Sequence, residues 1–84
     1  GDVVIRIFSP KGEDSQLVAE TLRSEGFGVT IISGEGRDGE VSIAWCVAPR
    51  KKAKQVLNIV STINPDAYVT TESTSPINLK SNRK

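Results

Sequence analysis

The sequence predicts an α+β domain of the ferredoxin-like kind, βαββαβ, with a four-stranded antiparallel sheet and two helices on one of its faces. Three observations carry that prediction. Apolar stretches of strand character occur at 3–8, 27–33, 40–48 and 67–72. Stretches with a period of 3.6 lie at about 14–25 and from Pro49 to about 63. Their order is strand, helix, strand, strand, helix, strand, and the right-handed crossover rule leaves few other ways to assemble it.

Each element has a local cause. In "VVIRIF" Val4, Arg6 and Phe8 alternate with Val3, Ile5 and Ile7, which makes a strand with one strongly apolar face. "SPKGED" supplies turn residues, and Glu13, Asp14 and Ser15 stand where a helix start favours caps and negative charge. In the helix that follows, Leu17, Val18, Thr21 and Leu22 are expected inward, Glu20, Arg23 and Glu25 outward, and Gly26 is placed as the terminating glycine. "FGVTIIS" and "EVSIAWCVA" read as the second and third strands, the third with Val41, Ile43, Trp45 and Val47 on one face and Ser42, Ala44, Cys46 and Ala48 on the other. Pro49 is tolerated in the first turn of the second helix. Ala53, Val56, Leu57, Val60 and Ile63 keep its period until Asn64 and Pro65 stop it. "AYVTTE" is the fourth strand. The domain is therefore expected over 1–72, with 73–84, "STSPINLKSNRK", as a flexible polar tail.

Two helices cover only one face of such a sheet. Val4, Phe8 and Ile32, with Ala44 and Cys46, are expected to share the other face, which is more apolar than a solvated surface and predicts contact with another subunit or domain.

The totals exclude several classes of function. A chain of 84 residues makes one small core, and a net charge of +1 gives neither a nucleic-acid footprint nor an acidic tail. The lone Cys46 excludes an internal disulfide and a multi-cysteine zinc site. The absence of histidine removes the commonest metal ligand and general base. No cofactor, no metal and no enzymatic activity are expected. No apolar run approaches the roughly 20 residues that span a bilayer. The start at Gly1-Asp2, directly before a strand, and the lack of methionine suggest a domain excised from a longer protein.

"SGEGRDGE", 33–40, holds Gly34, Gly36 and Gly39 in the spacing of a dinucleotide-binding turn. That turn joins a strand to a helix, whose N-terminal amides meet the pyrophosphate, and here a strand follows. The glycines read as a hairpin that needs positive φ or a bulge. A second reading keeps them, with Arg37, as an anion-binding nest at the base of a loop. "APRKKAK" puts Arg50, Lys51, Lys52 and Lys54 at a helix start, where the dipole disfavours each cation by about 0.3 to 1 kcal/mol. They are either a solvated helix face or a site for a phosphate, a carboxylate, an anionic membrane surface or an acidic partner, with Arg50 the best single candidate.

Other features point to packing. Cys46 has no histidine to activate it, and Trp45 and Phe8 read as packing residues. The strand order is shared with an RNA-recognition module, but "EVSIAWCV" lacks that module's basic-glycine-aromatic signature, so no nucleic acid is expected. Glu35, Asp38 and Glu40 ring the glycines without the spacing of a calcium loop.

Taken together, Gly26, Gly28, Val29 and Thr30, then Gly34, Gly36 and Gly39, then Arg50, then Ile63, Asn64, Pro65, Ala67 and Tyr68 resemble the pattern of the bacterial domain of unknown function 2179. That domain stands at the C-terminus of YitT-type and related small membrane proteins. The match covers about 3–72, with Tyr68 where phenylalanine is usual. The resemblance implies a PII-like variant of the ferredoxin fold on the cytoplasmic side of the cell membrane, as the soluble part of a membrane protein. It implies a homo-oligomer, a trimer being the form typical of PII-like proteins, which bind nucleotides or other anions between subunits and move the loop between strands two and three. The expected ligand-binding residues are Gly34, Gly36, Arg37, Gly39, Arg50 and Lys51, in a regulatory or sensory domain. The alternative is a structural oligomerisation or protein-interaction module with no small ligand.

Overall fold

The computed structural model describes residues 1–75. The chain runs β1 (Asp2–Pro10), α1 (Glu13–Ser24), β2 (Gly28–Gly36), β3 (Gly39–Pro49), a 3-10 turn (Arg50–Lys52), α2 (Ala53–Ile63) and β4 (Tyr68–Thr74). The strands form one sheet in the order β2-β3-β1-β4, with every neighbouring pair antiparallel, so the expected βαββαβ arrangement is the one observed.

The core lies between the helices and one sheet face. Val3, Ile5 and Ile7 of β1 face Ala48, Cys46 and Ala44 of β3, and this layer packs against Val18 and Leu22 of α1 and Val56 and Val60 of α2. Here the structure corrects the expected faces: Ala44 and Cys46 are covered by the helices, and the bulky row Val41, Ile43, Trp45, Val47 joins Val4, Phe8 and Ile32 on the open side. The reason is volume. Small residues at 44, 46 and 48 leave room for the branched side chains of β1 and of both helices at the density that a core requires.

Helix α1 is also rotated from its expected setting. Its buried positions are Ser15, Val18, Ala19 and Leu22, while Leu17 is 49% exposed. Ser15 fixes the start of the helix: its hydroxyl donates to the Gly12 carbonyl at 2.8 Å and accepts from the Gly12 N–H at 3.1 Å. Gly26 ends it with φ +93, as expected, and its N–H donates to the Arg23 carbonyl. Pro49 ends β3 rather than opening α2, so Arg50, Lys51 and Lys52 occupy the 3-10 turn and the α-helix begins at Ala53. Strand β4 continues to Thr74, past the expected start of the tail, and the tail from 76 to 84 lies outside the described residues. No helix among the described residues is long and apolar enough to cross a membrane.

Candidate functional site

The glycine stretch is not a loop. Gly34 and Gly36 lie in β2 and Gly39 in β3, paired Gly34 with Val41 and Gly36 with Gly39, so that only Arg37 and Asp38 form the turn. Among the described residues no non-glycine residue has positive φ, and the turn is closed by Gly39 at φ +127. Gly36 faces a different constraint: a Cβ there would stand 3.0 Å from a Val41 methyl, which would have to shift, and at Gly34 the same side chain lies 3.5 Å away. Val41 and Ile43 thus pack close to the glycines across the ladder. The hairpin carries Glu35, Asp38 and Glu40 against Arg37, whose guanidinium is 3.5 Å from Asp38. Lys11 reaches Glu40 at 3.4 Å.

Arg50 and Lys51 are not brought to this hairpin. They follow the far end of β3, eleven residues long from Gly39 to Pro49, which at about 3.3 Å per residue separates the two groups by roughly 30 Å. There the Arg50 guanidinium donates to the Ser73 hydroxyl at 2.6 Å, and the Arg50 N–H donates to the Gly1 carbonyl. Lys51, Lys52 and Lys54 are exposed and form no ion pair among the described residues. The six expected site residues therefore fall into two groups at opposite ends of the fold.

What does meet the hairpin is the turn between α2 and β4. The Ala67 N–H donates to the Asn64 carbonyl at 3.1 Å, closing a turn with Pro65 at its second position, where a fixed φ is favourable. This turn lies against the end of β1. The rings of Phe8 and Tyr68 stand 5.7 Å apart at 55°, and Tyr68 remains 68% exposed. Between hairpin and turn is a cleft of about 300 Å³ lined by Phe8, Pro10, Arg37, Asp38, Asp66 and Tyr68, among others. Of these, the sequence reading singled out Arg37 alone as a site residue. The signal for Asp66 and Tyr68 was the "INPDAY" stretch, which marked the family without being connected in space to the glycines; Phe8, Pro10 and Asp38 carried no such signal.

The open sheet face rises from this cleft. Arg6 is the one cation of β1 there, and it is neutralised in place: its guanidinium lies 4.6 Å from the centre of the Trp45 ring and 2.7 Å from the Glu72 carboxylate. Ile32 and Val47 on the same face are 41% and 42% exposed. Cys46, beneath, is fully buried, and burial pushes its thiol pKa up. Among the described residues no three His, Cys, Asp or Glu side chains cluster as metal ligands.

The family described as an uncharacterized protein conserved in bacteria, DUF2179, matches 27–78. A UPF0316 protein of Oleidesulfovibrio alaskensis is 38% identical over 69 residues, 82% of this chain and 39% of that protein, so the chain spans well under half of that relative. A DUF2179 protein of Eubacterium ventriosum, known as a crystal structure, superposes with a TM-score of 0.69 at 21% identity, over 86% of this chain and 99% of that one. PII of Arabidopsis thaliana bound to citrate gives 0.71 at 16% identity, over 98% of this chain and 83% of that one. CPII of Thiomonas intermedia bound to ADP, AMP and acetate gives 0.69 at 15%, over 83% and 82%. At such identities these neighbours establish the fold, which is ferredoxin-like and shared with PII. By the match over 27–78 and the likeness to the UPF0316 protein, the chain belongs to the DUF2179 family.

Proposed function

We propose that this is a non-enzymatic regulatory or sensory domain that binds a small anionic ligand, such as a nucleotide, at the cleft between the hairpin and the α2–β4 turn. One observation carries the reading: two family-marking stretches distant in sequence, Gly34 to Gly39 and Asn64 to Tyr68, converge on one cleft lined by the aromatic pair, the cation Arg37 and the carboxylates Asp38, Glu40 and Asp66. Tyr68 and Phe8 offer a face on which a base stacks, Asp38 and Asp66 accept hydrogen bonds from its amino groups, and Arg37 stands where a phosphate or carboxylate would lie. The ligands named with the PII-fold neighbours, citrate, ADP, AMP and acetate, are all anions.

The cleft of about 300 Å³ lies at the small end of ligand sites, and a second wall would come from another copy of the chain. Arg50 and Lys51 reach such a ligand only from that copy. The apolar open face, with Arg6 already neutralised by Glu72, supports association of copies. The family resemblance supports a place on the cytoplasmic side of the cell membrane, as the soluble part of a larger membrane protein. A non-enzymatic role is supported by the absence of histidine and by the burial of Cys46 as a protonated thiol.

Amide NMR shifts during titration with AMP, ADP and citrate test the reading. The expected result is saturable shifts at 34–40 and 66–68, lost for AMP in Tyr68→Ala, where removal of a stacking face costs about 1 to 3 kcal/mol. Absence of shifts in both segments at millimolar ligand sinks it. The second reading, a structural oligomerisation module without a small ligand, is favoured by the same open face. It is separated by sedimentation: self-association with no shift from any of these ligands supports it.

A further inference from the structure

The two helices that cover the sheet differ in charge. Helix α1 has Glu13 and Asp14 in its first turn, where the dipole favours them. The stretch from Pro49 to Pro65 contains no acidic residue. Arg50, Lys51 and Lys52 occupy its 3-10 turn and Lys54 the start of α2, where the dipole opposes cations and no side chain caps the backbone. The charges are also sorted along the strands. Glu13, Asp14, Glu35, Asp38, Glu40 and Asp66 lie toward the hairpin end of the sheet. The four cations lie toward the other end, where the nearby acids are Asp2 and Glu25, and Gln55 donates to Glu25 at 3.4 Å.

We propose that the outward face of the 3-10 turn and α2 docks on an anionic lipid bilayer. Arg50 is engaged by Ser73, which leaves Lys51, Lys52 and Lys54 exposed and without an ion pair among the described residues. Beyond them Leu57, 37% exposed, shares the outward side of the helix with Lys54, Asn58 and Ser61, at steps of three and four residues. Cations followed by an apolar side chain and small polar ones, with no carboxylate, make a face that places ammonium groups among lipid headgroups and Leu57 at the acyl boundary. A single phosphate or carboxylate suits it less: lysines are point charges on flexible stems, without the rigid fork that fixes one anion on a convex surface. Residues 1–75 are together net negative, because all ten acids lie within them and Lys80, Arg83 and Lys84 lie beyond. Attraction therefore needs this end to lead. The carboxylates of the hairpin end stand roughly 30 Å away, well beyond the Debye length of about 8 Å at physiological salt, and do not oppose it. The ligand cleft, at that distant end, takes no part in the contact.

Sedimentation of the 84-residue chain with lipid vesicles tests the contact. Binding is expected to vesicles of phosphatidylglycerol and phosphatidylcholine in equal parts, not to phosphatidylcholine alone, and is expected to fade at high salt. Lys51→Gln, Lys52→Gln and Lys54→Gln together are expected to lower the partition coefficient about a hundredfold, about fivefold for each lysine. The three positions are exposed, so this variant is expected to keep the fold, which circular dichroism checks. Lys80→Gln with Arg83→Gln and Lys84→Gln is expected to lose less. Unchanged partition in the first variant, or an equal or larger loss in the second, overturns the proposal. A polarity-sensitive fluorophore attached at Leu57→Cys is expected to shift to the blue on vesicles, and one at Asp38→Cys in the hairpin turn is not; the native Cys46 is buried and does not compete. Binding with no shift at position 57, or with equal shifts at both positions, overturns the docked face. Amide NMR shifts at 51–57 with polyglutamate, and no partition into vesicles, mark an acidic protein as the partner and overturn it equally.

Discussion

Arg6 lies directly across the β1–β3 ladder from Trp45, with its guanidinium carbon 4.6 Å from the centre of the indole ring. A cation in the middle of an apolar face would ordinarily oppose burial of that face. Here the ring and Glu72 satisfy it on that same face, which is apolar in effect although not in composition.

Arg6→Ala is therefore expected to destabilise the domain by about 0.7 to 2 kcal/mol, combining an aromatic contact of about 0.5 to 1 with a partly exposed ion pair of about 0.2 to 1. Arg6→Met, which keeps the packing over Trp45, is expected to lose less. Urea unfolding of both variants in low and high salt checks this, the salt dependence being weaker in Arg6→Met than in the native chain by the share of the Arg6–Glu72 pair.

Leu22 and Leu17 of α1 differ in burial, 0% against 49% exposed. Leu22→Ala is expected to cost about 2 to 5 kcal/mol, and Leu17→Ala about 0.5 or less. Equal losses in chemical denaturation would show that α1 sits in the setting that its sequence period suggests instead.

Gly39→Ala places a Cβ at φ +127 and is expected to cost about 1 to 2 kcal/mol through backbone strain alone. Gly36→Ala acts through the Val41 methyl 3.0 Å away. The Val41→Ala background should relieve the second substitution and not the first, and a double-mutant cycle on thermal unfolding distinguishes them.

Cys46 gives a pH dependence with a defined sign. Its thiol pKa is raised in the folded chain by burial, so above the ordinary value of 9.0 the unfolded chain releases a proton that the folded chain keeps. The stabilisation is complete below that value and falls by up to about 1.4 kcal/mol per pH unit as pH rises through it, until the folded thiol also ionises. Cys46→Ala should remove this component of the alkaline slope. At neutral pH the native thiol should react with Ellman's reagent at the rate of unfolding.

The element order was legible in the sequence because its causes are local: alternation in "VVIRIF", the 3.6 period of α2, the stop at Asn64 and Pro65, the glycine at 26. The faces were less so. In β3 both rows are compatible with burial, and only the packing of helices on the sheet shows that the small row is the inner one. Leu17 was assigned inward because it is apolar, although the helix phase set by Val18 and Leu22 leaves it at the margin. The hairpin at the glycines was legible, and Gly39 supplies its positive φ, whereas the contact of Gly36 with Val41 was not, because it depends on a side chain across the ladder. At the candidate site, Arg37 was visible from its neighbours in sequence. Asp66, Phe8 and Tyr68 were not, because their proximity to the hairpin depends on the β1–β4 pairing. The wide separation of Arg50 from the glycines follows from the length of β3.

The small inner row of β3 bears on how this domain tolerates change. Ala44, Cys46 and Ala48 admit little growth because the helices rest on them, and Ile43, Trp45 and Val47 admit few polar replacements if copies assemble on the open face. A strand constrained on both sides drifts slowly. Among relatives β3 should then vary as little on its outward positions as on its inward ones, the reverse of what a half-exposed strand in a monomer would show.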